Sequence, residues 1–178
     1  MKATGIVRRI DDLGRIVVPK EIRRTLRLRE GDPMEIYTGR DGSVVLKKYS
    51  PLHDMSKLAQ SYVNILHGIL QLPILICDKD QILAVAGLSK GLYEGSTISS
   101  YLEEQIAKRK VIEQLEAAPI EVKLYEQLDT QGYVIVPVNV SGDVIGAFII
   151  VAQEPVELKE KSVTLQALVE LLVLQLEM

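Results

Sequence analysis

The sequence predicts two α/β domains, a small basic head over residues 1–50 and a larger acidic body over residues 51–178. Three observations carry this. Residues 1–50 hold 12 basic and 7 acidic side chains, a net of +5, whereas residues 51–178 hold 9 and 17, a net of −8. Tyr49-Ser50-Pro51-Leu52 breaks the apolar pattern between the two. That pattern reads β-β-α-β-β before the break and α-β-β-α-β-β-β-α after it. A length of 178 residues suits one or two compact domains.

In the head, Thr4 to Ile10 reads as a strand, and Asp11-Asp12-Leu13-Gly14 as the turn that stops it. A turn role for Asp11, or a bridge that orients a neighbouring arginine, is expected. Arg15-Ile16-Val17-Val18 is β-branched and predicts a second strand. Pro19 ends the ladder and suits the first turn of a helix. That helix is expected from Lys20 to Leu28, with Ile22 and Leu26 on one face and Arg23, Arg24 and Arg27 on the other. After the turn Arg29-Glu30-Gly31-Asp32-Pro33, strands over Met34–Thr38 and Ser43–Lys48 flank an Asp41-Gly42 hairpin. So small a domain buries little surface alone and needs a metal, a disulfide or a partner. With one cysteine and two histidines in the chain, dimerisation is the route left.

In the body, apolar residues at helical steps predict a helix over about Asp54–Gln71, with Met55, Leu58, Ala59, Tyr62, Leu66 and Ile69 on one stripe. Ile74–Cys77 and Gln81–Val85 read as a hairpin, and Gly87–Gly95 as a loop. Ser100-Tyr101-Leu102-Glu103 has the form of a capping box, which predicts a helix to about Gln114. An edge strand over Ala118–Tyr125 and two firm strands, Tyr133–Val138 and Val144–Ala152, come next. The last helix is expected from Pro155 or Leu158 to Leu176. From Leu165 onward nine of its twelve residues are apolar, too many for one buried stripe, so two covered sides are expected. The second cover would be the helix over 54–71 and the same pair from another chain.

The composition also excludes. No tryptophan and one phenylalanine leave no stacking platform for bare bases. The single Cys77 forms no intrachain disulfide and suits a reducing compartment. No apolar run reaches 18 residues, so no membrane span is expected, and the first residues lack the apolar core of a signal peptide. No nucleophile, base and metal cluster assembles, so no enzyme and no catalytic or metal residue is predicted.

The runs Gly5-Ile6-Val7-Arg8-Arg9-Ile10-Asp11, Gly14-Arg15-Ile16-Val17-Val18-Pro19 and Glu21-Ile22-Arg23-Arg24 resemble the AbrB-type DNA-binding domain of bacterial transition-state regulators. The element order of the body resembles a GAF domain. The resemblance implies an N-terminal AbrB-type swapped-hairpin β-barrel formed by two chains, joined to a C-terminal α/β GAF-like domain with an antiparallel sheet and flanking helices. It implies a sequence-specific regulator of double-stranded DNA, activator and repressor, of sporulation or late forespore genes. Its setting would be the cytoplasm, on the nucleoid. Dimers through the N-terminal domains would join into tetramers through C-terminal helices. DNA contact falls on Arg8, Arg15, Arg23 and Arg24, whose guanidinium forks suit phosphates and guanine edges. Lys2, Arg9, Lys20 and Arg27 are further phosphate candidates.

No cofactor is expected. The body is expected to be purely structural; the alternatives are an unidentified small-molecule effector in a pocket formed by Cys77, Ser89, Lys90, Tyr93 and Tyr133, or a protein partner of this surface. Related heads also occur in antitoxins that neutralise a toxin with a short flexible tail. The 128 periodic residues after the head argue against that reading.

Overall fold

The structure, a computed structural model, describes residues 4–54 and 56–177, the side chains of residues 53, 54, 56 and 57 excepted. The chain divides into two compact units, Met1–Tyr49 and Ser50–Met178.

In the first unit, helix α1 spans Lys20–Thr25, and strands β1 (Met34–Thr38) and β2 (Val44–Lys48) pair as an antiparallel hairpin. The helix is three residues shorter than its apolar spacing suggests. Arg27 turns to φ +52°, its N–H reaches the Arg24 carbonyl at 3.3 Å, and Leu28 N–H reaches the Arg23 carbonyl at 2.8 Å. This is a Schellman ending with an arginine where glycine is usual. Lys48 Nζ then binds Asp32 at 3.0 Å and the Arg27 carbonyl at 3.3 Å, tying the turn after the helix to β2. The two strands expected before the helix are absent from the single chain. Residues 4–10 and 15–18 form no ladder, because β1 and β2 pair only with each other. Of residues 4–49 only Pro19 is buried. Val7, Leu13 and Val17 stand 85%, 70% and 72% exposed.

The second unit opens with a short helix α2, Pro51–Asp54, so the helical segment starts earlier than expected, with proline at its first position. Helix α3 spans Ser56–Leu70. Its buried stripe is Ala59, Val63, Leu66 and Leu70, while Leu58, Ile65 and Ile69 face outward, which corrects the stripe expected from sequence. Strands β3 (Ile74–Asp78) and β4 (Ile82–Ala86) form the predicted hairpin. The segment read as a loop carries one helical turn, α4 (Lys90–Tyr93).

Helix α5 spans Ser100–Ala107. Its cap is Ser99, not Ser100: Ser99 Oγ accepts the Leu102 N–H at 2.9 Å and donates to the Glu121 carbonyl. The helix ends well before Gln114 because Arg109 takes φ +58°, after which Ile112–Gln114 is strand β5. The stretch read as an edge strand instead forms its own hairpin, β6 (Ile120–Lys123) with β7 (Glu126–Leu128). Strands β8 (Gly132–Val140) and β9 (Asp143–Ala152) are longer than predicted, and helix α6 spans Leu158–Leu176. Ser141 and Gly142 join β8 to β9 at φ +48° and +87°, the twist that a two-residue hairpin requires.

The five-stranded antiparallel sheet has the order β4-β3-β9-β8-β5. Alternate residues serve its two faces. Ile74, Ile76, Val134, Val136, Phe148 and Ile150 pack against α3 and α6. Leu75, Cys77, Tyr133, Ile135, Ile149 and Val151 pack against α5 and the β6–β7 hairpin. Each such side chain removed from water contributes about 1.5–3 kcal/mol. The β3–β9 seam is the tightest place in the sheet. A Cβ on Gly146 would lie 2.1 Å from the Cys77 carbonyl oxygen and 2.7 Å from Leu52. Gly146→Ala is therefore expected to cost about 1–3 kcal/mol of stability, read as a lowered midpoint in urea unfolding.

Candidate nucleic-acid interface

The turn before α1 is built around one carboxylate. Asp11 Oδ1 accepts the backbone N–H of Leu13 at 3.0 Å and of Arg15 at 2.8 Å. Asp11 Oδ2 takes the Arg15 Nε–H at 2.8 Å. Gly14 supplies φ +77°, and its N–H reaches the Asp11 carbonyl at 3.0 Å. Asp11 thus has the bridging role read from sequence. It orients the Arg15 guanidinium through Nε and leaves the outer nitrogens turned to solvent. These bonds, the Arg15 backbone N–H first and its side chain next, hold the Asp11 carboxyl below its ordinary value of 3.8.

Arg8, Arg9, Lys20, Arg23 and Arg24 are exposed, and none has an ion-pair partner among the described residues. Lys20, Arg23, Arg24 and Arg27 recur at steps of three and four, so α1 and its C-terminal turn gather their cations on one side. Arg23 and Arg24 also lie in the last helical turn, where the helix dipole favours positive charge. Arg27 is half-buried, since its backbone closes the helix. Lys2 lies outside the described residues.

The five residues expected to form an effector pocket divide. Cys77, Tyr93 and Tyr133 belong to one packed apolar cluster, whereas Ser89 and Lys90 are exposed. Burial pushes the Cys77 thiol up, away from the reactive thiolate. The Tyr133 hydroxyl meets that of Tyr101 at 2.6 Å. Tyr93 is held by the β6–β7 hairpin: Lys123 Nζ lies 5.2 Å from its ring centre, 2.9 Å from the Leu92 carbonyl and 2.7 Å from Glu126. Burial, with Glu126 adding to it, raises the Tyr93 phenol.

The family described as stage V sporulation protein T C-terminal, transcription factor, matches residues 54–177. The chain belongs to this family. Stage V sporulation protein T of Bacillus subtilis (strain 168) is 47% identical over 154 residues, 86% of this chain and 86% of that protein. In the head, residues 7–52 match the family described as antidote-toxin recognition MazE, bacterial antitoxin. The transition state regulatory protein AbrB of the same organism is 57% identical over 51 residues, 29% of this chain and 52% of that protein. The GAF domain of an Acinetobacter phosphoenolpyruvate-protein phosphotransferase has a TM-score of 0.56 at 14% identity, covering 68% of this chain and 81% of that one. At that identity it shows the fold: the family's C-terminal domain is GAF-like, and an AbrB-type domain precedes it.

The Asp11 turn has a testable pH signature. A depressed carboxylate keeps its bonds above 3.8 and loses them as pH falls through its lower folded value. In an NMR titration the Asp11 carboxyl is expected to turn over below 3.8. In Arg15→Ala it should move only part of the way back, because the backbone N–H at position 15 remains.

Proposed function

We propose that the chain is a sequence-specific transcription regulator whose head works as an interleaved dimer on double-stranded DNA. The observation that carries this is the state of the single head. Its residues 4–10 and 15–18 carry six isoleucines and valines yet form no ladder, while Arg8, Arg15, Arg23 and Arg24 stand exposed. A second copy that inserts its own strands completes the sheet and buries Val7, Leu13 and Val17. The same step doubles every cation. Arg8, Arg15, Arg23 and Arg24 are the principal contacts to DNA, and Lys2, Arg9, Lys20 and Arg27 are held for phosphates. The identity with two Bacillus regulators supports this reading. The antitoxin match covers the head alone, and behind that head this chain carries a folded body instead of a short tail.

The body supplies a second contact. Leu58, Ile65 and Ile69 on α3 and Val163, Leu171 and Leu174 on α6 form outward apolar stripes. Pairing α3 and α6 with their copies buries both stripes in a helical bundle and joins two dimers into a tetramer. The setting proposed is the cytoplasm of the developing spore, on the nucleoid. There the protein activates some genes and represses others, with the body as assembly and sensing module.

Two measurements test this. Binding of a promoter-fragment library by the full chain should fall by about 4 kcal/mol or more in Arg8/Arg15/Arg23/Arg24→Ala, given about 1–3 kcal/mol per bidentate pair. With six to eight phosphates neutralised, log K against log salt should slope at about −5 to −7. Equal affinity of the two proteins overturns the surface. In analytical ultracentrifugation the full chain should sediment as a tetramer and Leu171→Glu/Leu174→Glu as a dimer. A dimer in both would remove the second contact, and a monomer in both would remove the head contact as well.

A further inference from the structure

The sheet face that packs on α6 holds a cleft of about 180 Å³, on the opposite side from Cys77 and Tyr133. That is room for roughly six waters at about 30 Å³ each. It lies below the size of sites for drug-like ligands and suits a small metabolite. Its floor is apolar, from Val136 of β8 and Val169 of α6. Its polar groups differ in kind and come from three segments: Arg109 after α5, Asn139 on β8, and Gln166 with Glu170 on α6.

On one side stands Arg109. Its φ of +58° ends α5 and sends the side chain to the β8–β9 turn, where Nη1 donates to the Gly142 carbonyl at 2.6 Å. Asp143 lies 3.8 Å from Nη2 as an exposed, weak pair. The guanidinium is therefore fixed by backbone and keeps donors for a carboxylate. On the other side α6 offers acceptors. Gln166 Nε2 donates to Ser162 Oγ at 3.0 Å, and the buried Ser162 donates in turn to Glu113. That chain occupies the Gln166 amide nitrogen and leaves its carbonyl oxygen for the cleft. Glu170, one turn further, adds a carboxylate with no ion-pair partner among the described residues.

We propose that this cleft binds a small aliphatic α-amino acid, with its carboxylate on Arg109, its ammonium on Gln166 and Glu170, and its side chain against Val136 and Val169. A bare carboxylate would use only the Arg109 side of the cleft, and a bare amine only the Glu170 side. The proposal concerns the body alone and stands apart from the DNA reading.

Isothermal titration calorimetry on the full chain tests it, with leucine and valine as probes and isovalerate and isoamylamine as one-charge controls. Saturable binding of leucine or valine is expected, at least about tenfold tighter than either control. Arg109→Gly, which suits the positive φ, and Glu170→Gln should each weaken it at least about tenfold while the melting temperature holds. Three results overturn the proposal. The first is no saturable heat from either amino acid up to about 10 mM, tenfold above a millimolar dissociation constant. The second is isovalerate binding as tightly as leucine. The third is unchanged affinity in both folded variants.

Discussion

A β-strand satisfies its backbone only beside another strand, and the head of this chain lacks the second partner. Its one hairpin, β1–β2, is complete within itself and has nothing to offer residues 4–18. Those residues are rich in isoleucine and valine, and in the single chain they meet water. Everything proposed for the head stems from that shortfall. In the proposed dimer a copy of the chain covers these residues and brings a second set of arginines. In that dimer, folding of the head and display of its charge are one event.

The body solves the same problem internally. Its β8 and β9 run side by side for nine register pairs, with β3 against β9 and β5 against part of β8. Both faces of this sheet are covered, which is why so many of its residues are fully buried. Of the apolar side chains still exposed, six lie on the outer sides of α3 and α6 and the others, such as Leu92, Leu115 and Tyr125, are scattered. The two units thus differ in kind: in one, residues 4–18 join no sheet, and in the other a five-stranded sheet is covered on both faces.

Much of this was legible in the residues. Asp41-Gly42 and Ser141-Gly142 mark their hairpins because positive φ has a residue signature, and the strands beside them fall within a residue or two of expectation. Asp11 reads as a turn carboxylate because its partner is four residues away. The errors share a cause. α1 and α5 end on arginines, Arg27 and Arg109, at positive φ, and no glycine marks either stop, so the helical pattern runs on. The stretch after Ala118 has strand character, but its choice of β7 over the main sheet is a tertiary decision. The two strands expected before α1 rest on a β-branched pattern, and that pattern is silent on where a pairing neighbour would come from. Arg109, Gln166 and Glu170 share a cleft through folding alone, since nothing local links positions that far apart.

Arg27 carries a tension of its own. An ordinary residue at positive φ is strained by about 1–3 kcal/mol, and glycine would relieve it while deleting a cation from the basic side of the head. Thermal robustness and electrostatic reach therefore pull this single position in opposite directions. A search for hardier variants judged by heating alone would drift toward glycine there and would quietly discharge the surface proposed to face DNA.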